Sequence, residues 1–543
     1  MADDGSSLLD VLRDQLGLRS VKDGCSPQGQ CGCCTVWVDG SPRVSCVTPV
    51  RRLQGREITT LDGLPPDLAE RWTTALVATG GSQCGFCTPG IIMRLAALGP
   101  GPDPSGRIDR ALLAHLCRCT GWTGIEEAAL SVLDGSSDPV ADPVADPGPR
   151  SSDRAGRRAS LEGRVPQVVG PAVVAGRAGF ADDTAPAGAL VAVPDGTGGY
   201  IVDETVAAAR ARAHRVQGRN TTLGLAYPVE EPPGPWALTL RTTWVEPAYV
   251  EPDASWCVPG GRPASPLGNG GAFGGKVDSP VTADARRLAD RYGRPVRVLW
   301  SREDVVRRGP KRPPVAAGID ASGNGILRVG VPAAGVAEDR WAAVVTAVAT
   351  VAPGLVLEAV PVVGPGVSFD LRGAVWAEAA VLAAVIGVAG PDPAAAGPVV
   401  DVPVGVRTPD GGRATARCRA DGSVEVAVDA GPPLDEVVLR SYCLGAAHQA
   451  VSWVCSEGIA VDDAGAVHDL TVRSFGILSA RDMPPVTVVV DPPSGGPAVN
   501  GSDAVFAAVA AARWLAEGLP SAWPTGRGPG PVGSLRPPPG PVG

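Results

Sequence analysis

The chain has 543 residues, 44% of them apolar, and carries a formal charge of -9, with arginine far outnumbering lysine. That length exceeds one ordinary core and predicts three to five domains, while the lack of any basic block argues against nucleic acid as a partner. The acidic start MADDGSSLLD has no basic flank or long apolar stretch, and the apolar run at 341–351 stops at Pro353, so a cytoplasmic protein without a membrane partner is expected.

Thirteen cysteines in such a chain point to metal or redox chemistry rather than disulfides, and nine of them lie before residue 120. Ser7 followed by LLDVLRDQLGL predicts a capped helix with Leu8, Leu9, Leu12 and Leu16 on one face. A cysteine-bearing loop comes next, with Cys25, Cys31, Cys34 and Cys46 as one candidate metal set. TVWV, Asp39-Gly40 and RVSCVTPV predict a hairpin that pins this loop and delivers Cys46 from its second strand. The spacing C-x5-C-x2-C with a distant fourth cysteine approximates the plant-type [2Fe–2S] loop with one additional residue in the first gap. Gly24, Gly29 and Gly32 let backbone N–H groups approach cluster sulfur. A structural zinc site is the alternative, and Cys33 is surplus to four ligands, reading as a small buried side chain.

From Leu64 to Leu133 the pattern turns helical. PGIIMRLAAL places Pro89 near a helix start, IDRALLAHL ends at a CRC turn, and Thr123 with Glu126 predicts a capping box for IEEAALSVL. Cys84 and Cys87 in QCGFC and Cys117 and Cys119 in CRC form the second set. One-residue spacing is awkward for a zinc ribbon, and four thiolates from two helix ends suit a second iron–sulfur centre better. Residues 138–160 read as a Pro/Asp/Ser-rich linker. Beyond them helices and strands alternate without a steady βαβ rhythm, an α+β body. The Gly/Pro-rich tail 525–543 is expected to be disordered.

GCSPQGQCGCCTV with its later SC, then QCGFCTPG and HLCRCTGW, resemble the two-cluster iron–sulfur subunit of the xanthine dehydrogenase and aldehyde oxidoreductase family of molybdenum hydroxylases, over residues 7–135. The resemblance implies that Cys25, Cys31, Cys34 and Cys46 hold the cluster nearer a flavin. By the same comparison Cys84, Cys87, Cys117 and Cys119 hold the one nearer a molybdopterin, with Gln83 as a cofactor contact. Family members carry alanine where Cys33 stands and usually asparagine where His115 stands. GNGGAFGGK at 268–276 is a weak glycine-turn signal alone but resembles the family's GGxFGxK cofactor loop, which would bring Gly270, Gly271, Ala272, Phe273 and Gly274 to molybdopterin. Arg372 in LRG matches the arginine beside the family's active-site pocket, and His448 and Gln449 in GAAHQAVSWVC fall near the cofactor. A packed core residue is an equally good reading of His448. In place of the family's KGxGE-like segment stands VNGSDAVFAAVAAA, where Asp503 occupies the nearest place to the catalytic glutamate. Asp503 has a bland alternative, a helix cap.

The resemblance implies an α+β architecture in a fixed order. A β-grasp ferredoxin-like [2Fe–2S] domain at 1–75 precedes a helical-bundle [2Fe–2S] domain at 76–137, the linker at 138–160 and an α/β hammerhead-like region at 161–256. A shortened molybdopterin-binding-like region at 257–524 and the tail at 525–543 complete it. The expected cofactors are two [2Fe–2S] clusters and the molybdenum cofactor, with FAD only on a partner subunit and a further molybdopterin-type subunit as a second candidate partner. The expected activity is hydroxylation of a heterocycle or aldehyde, with Asp503 and Arg372 as catalytic residues. In the second reading the chain is an electron-transfer subunit whose degenerate half is a docking scaffold; in the third it is a zinc-stabilised structural protein.

Overall fold

The computed structural model describes residues 6–134, 151–213, 223–390 and 397–526. They form two compact units. The first comprises Met1–Asn220, Ala248–Gly309 and Leu470–Val472; the second comprises Thr221–Pro247, Pro310–Asp469 and Arg473–Gly543.

The first unit opens with the helix Leu8–Asp10, capped reciprocally by Ser7 and Asp10, which continues as a π-helical turn, Val11–Gln15, where a regular α-helix was expected. The hairpin forms as predicted, with Thr35–Val38 antiparallel to Ser41–Val44, and Ile58–Thr59 pairs on the other side of the first strand. Asp39 and Gly40 adopt φ of 48° and 73°, the pair of left-handed conformations that a tight twisted hairpin requires. Cys46 does not sit on the second strand but in the 3-10 turn Ser45–Val47 that follows it. Four helices come next, Pro66–Ala78, Thr88–Ala96, Pro104–Leu112 and Thr123–Leu133. Helix Thr88–Ala96 buries Ile91, Ile92, Met93 and Leu95, and the Trp37 indole of the hairpin donates to the Met93 carbonyl at 2.6 Å. The capping box expected at Thr123 is absent. Trp122, at φ 71°, takes the cap position without a side-chain bond, and Thr123 is already helical.

The proposed linker is only partly irregular. Residues 138–150 lie outside the described ones, but Ser152–Gly163 is a helix that buries Ala155, Arg158, Ala159 and Glu162, with an internal Arg158–Glu162 ion pair at 2.9 Å. Its alanines and i,i+4 charges outweigh the serine-rich composition. A four-stranded mixed sheet completes the unit in the order Tyr200–Asp203, Leu190–Pro194, Val296–Leu299, Ala254–Cys257, packed against the helix Val281–Tyr292. Arg13 pairs with Asp182 at 2.6 Å and Asp183 at 2.9 Å, and Arg297 pairs with Asp14 at 2.7 Å and Asp182 at 3.0 Å. Lys22, fully buried, also pairs with Asp183. Charges from the first 25 residues are thereby locked to segments far along the chain.

In the second unit a five-stranded sheet runs Leu355–Val362, Gly325–Pro332, Val315–Ile319, Leu238–Thr242, Ala522–Trp523, and a four-stranded sheet runs Val404–Arg407, Arg413–Cys418, Val424–Asp429, Val486–Val490. Helices Trp376–Ala389, Glu436–Cys455 and Ser502–Ala516 fill the core. Their sequences are apolar around most of the circumference, as helices enclosed on all sides must be. The strand Ala522–Trp523 ties the chain's end into a sheet, and residues 527–543 of the expected tail lie outside the described ones.

Candidate metal centres and a buried polar site

Both cysteine sets converge. In the first, Cys25, Cys31, Cys34 and Cys46 are all buried and none forms a disulfide. Cys25 lies against the thiols of Cys31 and Cys46, and Cys46 lies against those of Cys25 and Cys34, so the four sulfurs form a chain of neighbours. The adjacent Cys31 and Cys46 thiols hold Cys25 well below its ordinary range against the effect of burial, and Cys31 and Cys46 are pushed up by the same contacts. The loop also offers N–H groups to sulfur: Gln28 donates to Cys25 Sγ at 3.1 Å and Gln30 at 3.5 Å. Such N–H···S contacts stabilise negative charge on the sulfur.

In the second set the turn before helix Thr88–Ala96 supplies Cys84 and Cys87, and the turn after helix Pro104–Leu112 supplies Cys117 and Cys119. The Cys119 thiol donates to Cys84 Sγ at 3.6 Å, and Cys117 lies against Cys87, which lowers the Cys117 thiol to about 6. Sulfurs bound to one tetrahedral metal at about 2.3 Å stand about 3.7 Å apart, so Cys84 with Cys119 matches two ligands of one iron. Among the described residues no three His, Cys, Asp or Glu donors are placed to hold an ion. The thiols of the second set approach in two pairs, Cys84 with Cys119 and Cys87 with Cys117.

Cys33 is buried beside Cys31 and completes neither quartet. His115 is buried against Gly32, with its Nε2 3.4 Å from Thr35 Oγ1, and burial lowers its imidazole to about 4. Leu116 N–H donates to the Cys31 carbonyl at 3.0 Å, which joins the backbones of the two sets one residue before Cys117.

The glycine loop closes on the second set. A Cβ on Gly271, at φ 84°, would lie 3.1 Å from Cys84 Sγ and 3.5 Å from Cys119 Sγ, a spacing that leaves little beyond the glycine backbone itself. The Asn269 amide donates to the carbonyls of Gln83 and Cys84 at 3.4 and 3.2 Å, and Gln83 donates to the Cys119 carbonyl at 2.8 Å. Gln83 thus braces the thiol turn. Gly270 packs on the Gln167 side chain, Ala272 and Phe273 are buried, and Gly274 takes φ 96°. Lys276 is buried in an ion pair with Glu251 at 2.7 Å; burial pushes the Glu251 carboxyl up to about 7, against the pull of Lys276.

In the second unit Arg372, Gln449 and Asp503, drawn from three distant segments, meet. Arg372 pairs with Asp503 at 3.0 Å with both side chains almost wholly buried, and its other nitrogens reach Gln449 Oε1 at 3.3 Å and Ser502 Oγ at 3.1 Å. Asp503 is not a helix cap. The helix starts at Ser502 after Gly501 without a side-chain cap, and the Asp503 N–H instead donates to Asn500 Oδ1 at 2.9 Å. Ser502 and Asn500 were missed in the sequence, because only the fold reveals that they flank a charge pair. His448 is fully buried, its ring 3.0 Å from the Leu478 carbonyl, as a packed core residue would be.

Residues 60–130 match the family described as [2Fe-2S] binding domain. The chain is 41% identical over 131 residues to the xanthine dehydrogenase iron-sulfur-binding subunit of Escherichia coli, an alignment covering 23% of this chain and 81% of that protein. It is 41% identical over 127 residues to the nicotinate dehydrogenase small FeS subunit of Eubacterium barkeri, covering 22% and 78%. The aldehyde oxidoreductase structure from Desulfovibrio desulfuricans superposes with a TM-score of 0.68 at 15% identity, over 96% of this chain and 97% of that one, a likeness of fold. A ferredoxin-like region, a helical region and a larger α+β body follow one another along the sequence, as in that fold. With most of two iron–sulfur subunits matched, the chain belongs to the xanthine dehydrogenase and aldehyde oxidoreductase family.

Proposed function

We propose that the chain is the iron–sulfur component of a molybdenum-hydroxylase system and carries electrons through two [2Fe–2S] clusters to a flavin on a partner subunit. The observation that supports it most is the gathering of eight buried thiols into two sets whose backbones are joined at Leu116 and Cys31. Cys25, Cys31, Cys34 and Cys46 hold one cluster; Cys84, Cys87, Cys117 and Cys119 hold the other. Each cluster supplies a one-electron centre when bound. The protein's part is to exclude water, hold the four thiols of each set together and direct N–H groups at sulfur, which favours the reduced form.

Hydroxylation of a heterocycle or aldehyde by this chain's own second half is the finer reading, and the Arg372–Asp503 pair speaks against it. A general base must be free to reach the proton it takes, and the Asp503 carboxylate is instead engaged at 3.0 Å by the buried Arg372 guanidinium. Arg372 thus takes up both Asp503 and Gln449, and no step is assigned to these groups. The second half is accordingly read as a scaffold that docks catalytic and flavin subunits.

Purified protein is expected to hold about four irons per chain and, once reduced, to give two distinguishable paramagnetic signals. Iron near two, or zinc in its place, would remove one of the assigned sets. Molybdenum bound to the isolated chain in equal amount would overturn the scaffold reading and restore the hydroxylase one.

A further inference from the structure

Among the described residues, Arg302 is a buried cation with no ion-paired carboxylate. It is the first residue of helix Arg302–Arg308, whose start is fixed by a reciprocal cap between Ser301 and Asp304. Its side chain is fully buried, with Nη2 donating to the carbonyls of Gly24 and Val250, each at 2.8 Å. Its Nε and Nη1 are buried with no hydrogen-bond partner, and the face of the Tyr249 ring lies 5.9 Å away. Among the described residues no carboxylate forms an ion pair with it. Guanidinium remains protonated in proteins, and burying a charge against neutral carbonyls alone carries a large penalty.

The surroundings indicate what anion offsets that charge. Gly24 directly precedes Cys25, and a Cβ built on Gly24 would stand 2.9 Å from Cys31 Sγ and 3.2 Å from Cys33 Sγ. The guanidinium therefore sits one residue behind the thiols of the first set. The neighbouring Glu303 grips the same loop, accepting from the Gln28 amide at 3.1 Å, while that amide also donates to the Leu470 carbonyl at 2.8 Å. Two successive residues of one helix thus hold the loop at both ends, one of them carrying an unpaired positive charge.

We infer that Arg302 is the charge partner of the first iron–sulfur cluster, raising its reduction potential by stabilising the additional electron; this rests on the reading that Cys25, Cys31, Cys34 and Cys46 bind that cluster. Four thiolates around the irons leave the centre anionic in both redox states, and more so when reduced. A fixed cation in a region without water acts on that difference with little screening.

The test is a potentiometric titration of the full chain, followed by the two paramagnetic signals, in the parent, Arg302→Met and Arg302→Lys. In Arg302→Met one midpoint should fall by at least the equivalent of tenfold in the reduction equilibrium, 59 mV for a one-electron couple. The second signal should stay in place, and Arg302→Lys should recover most of the shift. Unmoved midpoints at full iron content would overturn the inference, as would a lysine variant displaced as far as the methionine one. Should the methionine variant lose the first cluster, the lysine variant decides alone: a midpoint near the parent's supports the charge role, and a full tenfold displacement refutes it. A parent without the first signal would count instead against the cluster assignment itself.

Discussion

Asp503 shows how much one side chain's role depends on what the fold places opposite it. Its position after VNGS left it a general base or a cap; its partner Arg372 lies far away in the sequence, on the turn before another helix, and no local pattern announces the pair. The cysteines were legible for the opposite reason: each quartet is drawn from short local loops, where spacing alone carries the geometry. Replacing Asp503 with Asn keeps the shape and removes the charge, leaving Arg372 buried without its counter-ion. The second unit should lose about 3–5 kcal/mol of stability, read from denaturant midpoints, since breaking one side of a buried pair has that cost. Turnover of the complex per folded molecule should stay within about twofold of the parent. A drop of about 10²-fold with an unchanged unfolding midpoint would reinstate Asp503 as a base.

Glycine separates two helices that look alike in sequence. Gly90 in Thr88–Ala96 lets the helix backbone approach the first cysteine loop so closely that a Cβ there would collide with the Gly32 carbonyl and lie 2.8 Å from Cys33 Cα. Gly387, near the end of Trp376–Ala389, has nothing within 4 Å of the same point. Alanine at the two sites should therefore act with opposite signs. Gly90→Ala should destabilise by about 1–3 kcal/mol through overpacking, and Gly387→Ala should stabilise by about 0.5–1 kcal/mol by restricting the unfolded chain. Thermal and denaturant unfolding of both variants checks this, and equal effects would show the close approach to be unimportant. Helix positions were largely readable from apolar periodicity and proline placement. The caps at Thr123 and Asp503 were not, because a residue such as Trp122 in a left-handed conformation, or an asparagine at 500 reaching round, is set by tertiary packing.

Across the molecule, the domain order read along the sequence hides how the first unit is assembled. Its residues come from 1–220, 248–309 and 470–472, and the ion-pair network of Arg13, Lys22, Asp14, Asp182, Asp183 and Arg297 fastens the first two of these pieces together. Linear punctuation, such as the proline-rich stretch before residue 150, does not say which pieces share a core. Burial alone would raise the Asp182 carboxyl, yet Arg13 and then Arg297 outweigh it and hold the group well below its ordinary range. A carboxylate depressed in the folded state contributes stability above its unfolded value, about 3.9, and loses it as pH falls toward the folded one. The first unit should accordingly weaken steeply below about pH 4, and Arg13→Ala should flatten that part of the profile. An unfolding midpoint independent of acid down to pH 3 in the parent would contradict the network's role.

The meeting of Gly271 with Cys84 and Cys119 also has a history in time. A ribosome adding about 5–20 residues per second delivers those thiols roughly ten seconds or more before the glycine loop that will cover them. Throughout that interval the nascent cysteines are not yet covered by this loop. In the folded chain every one of these sulfurs is buried.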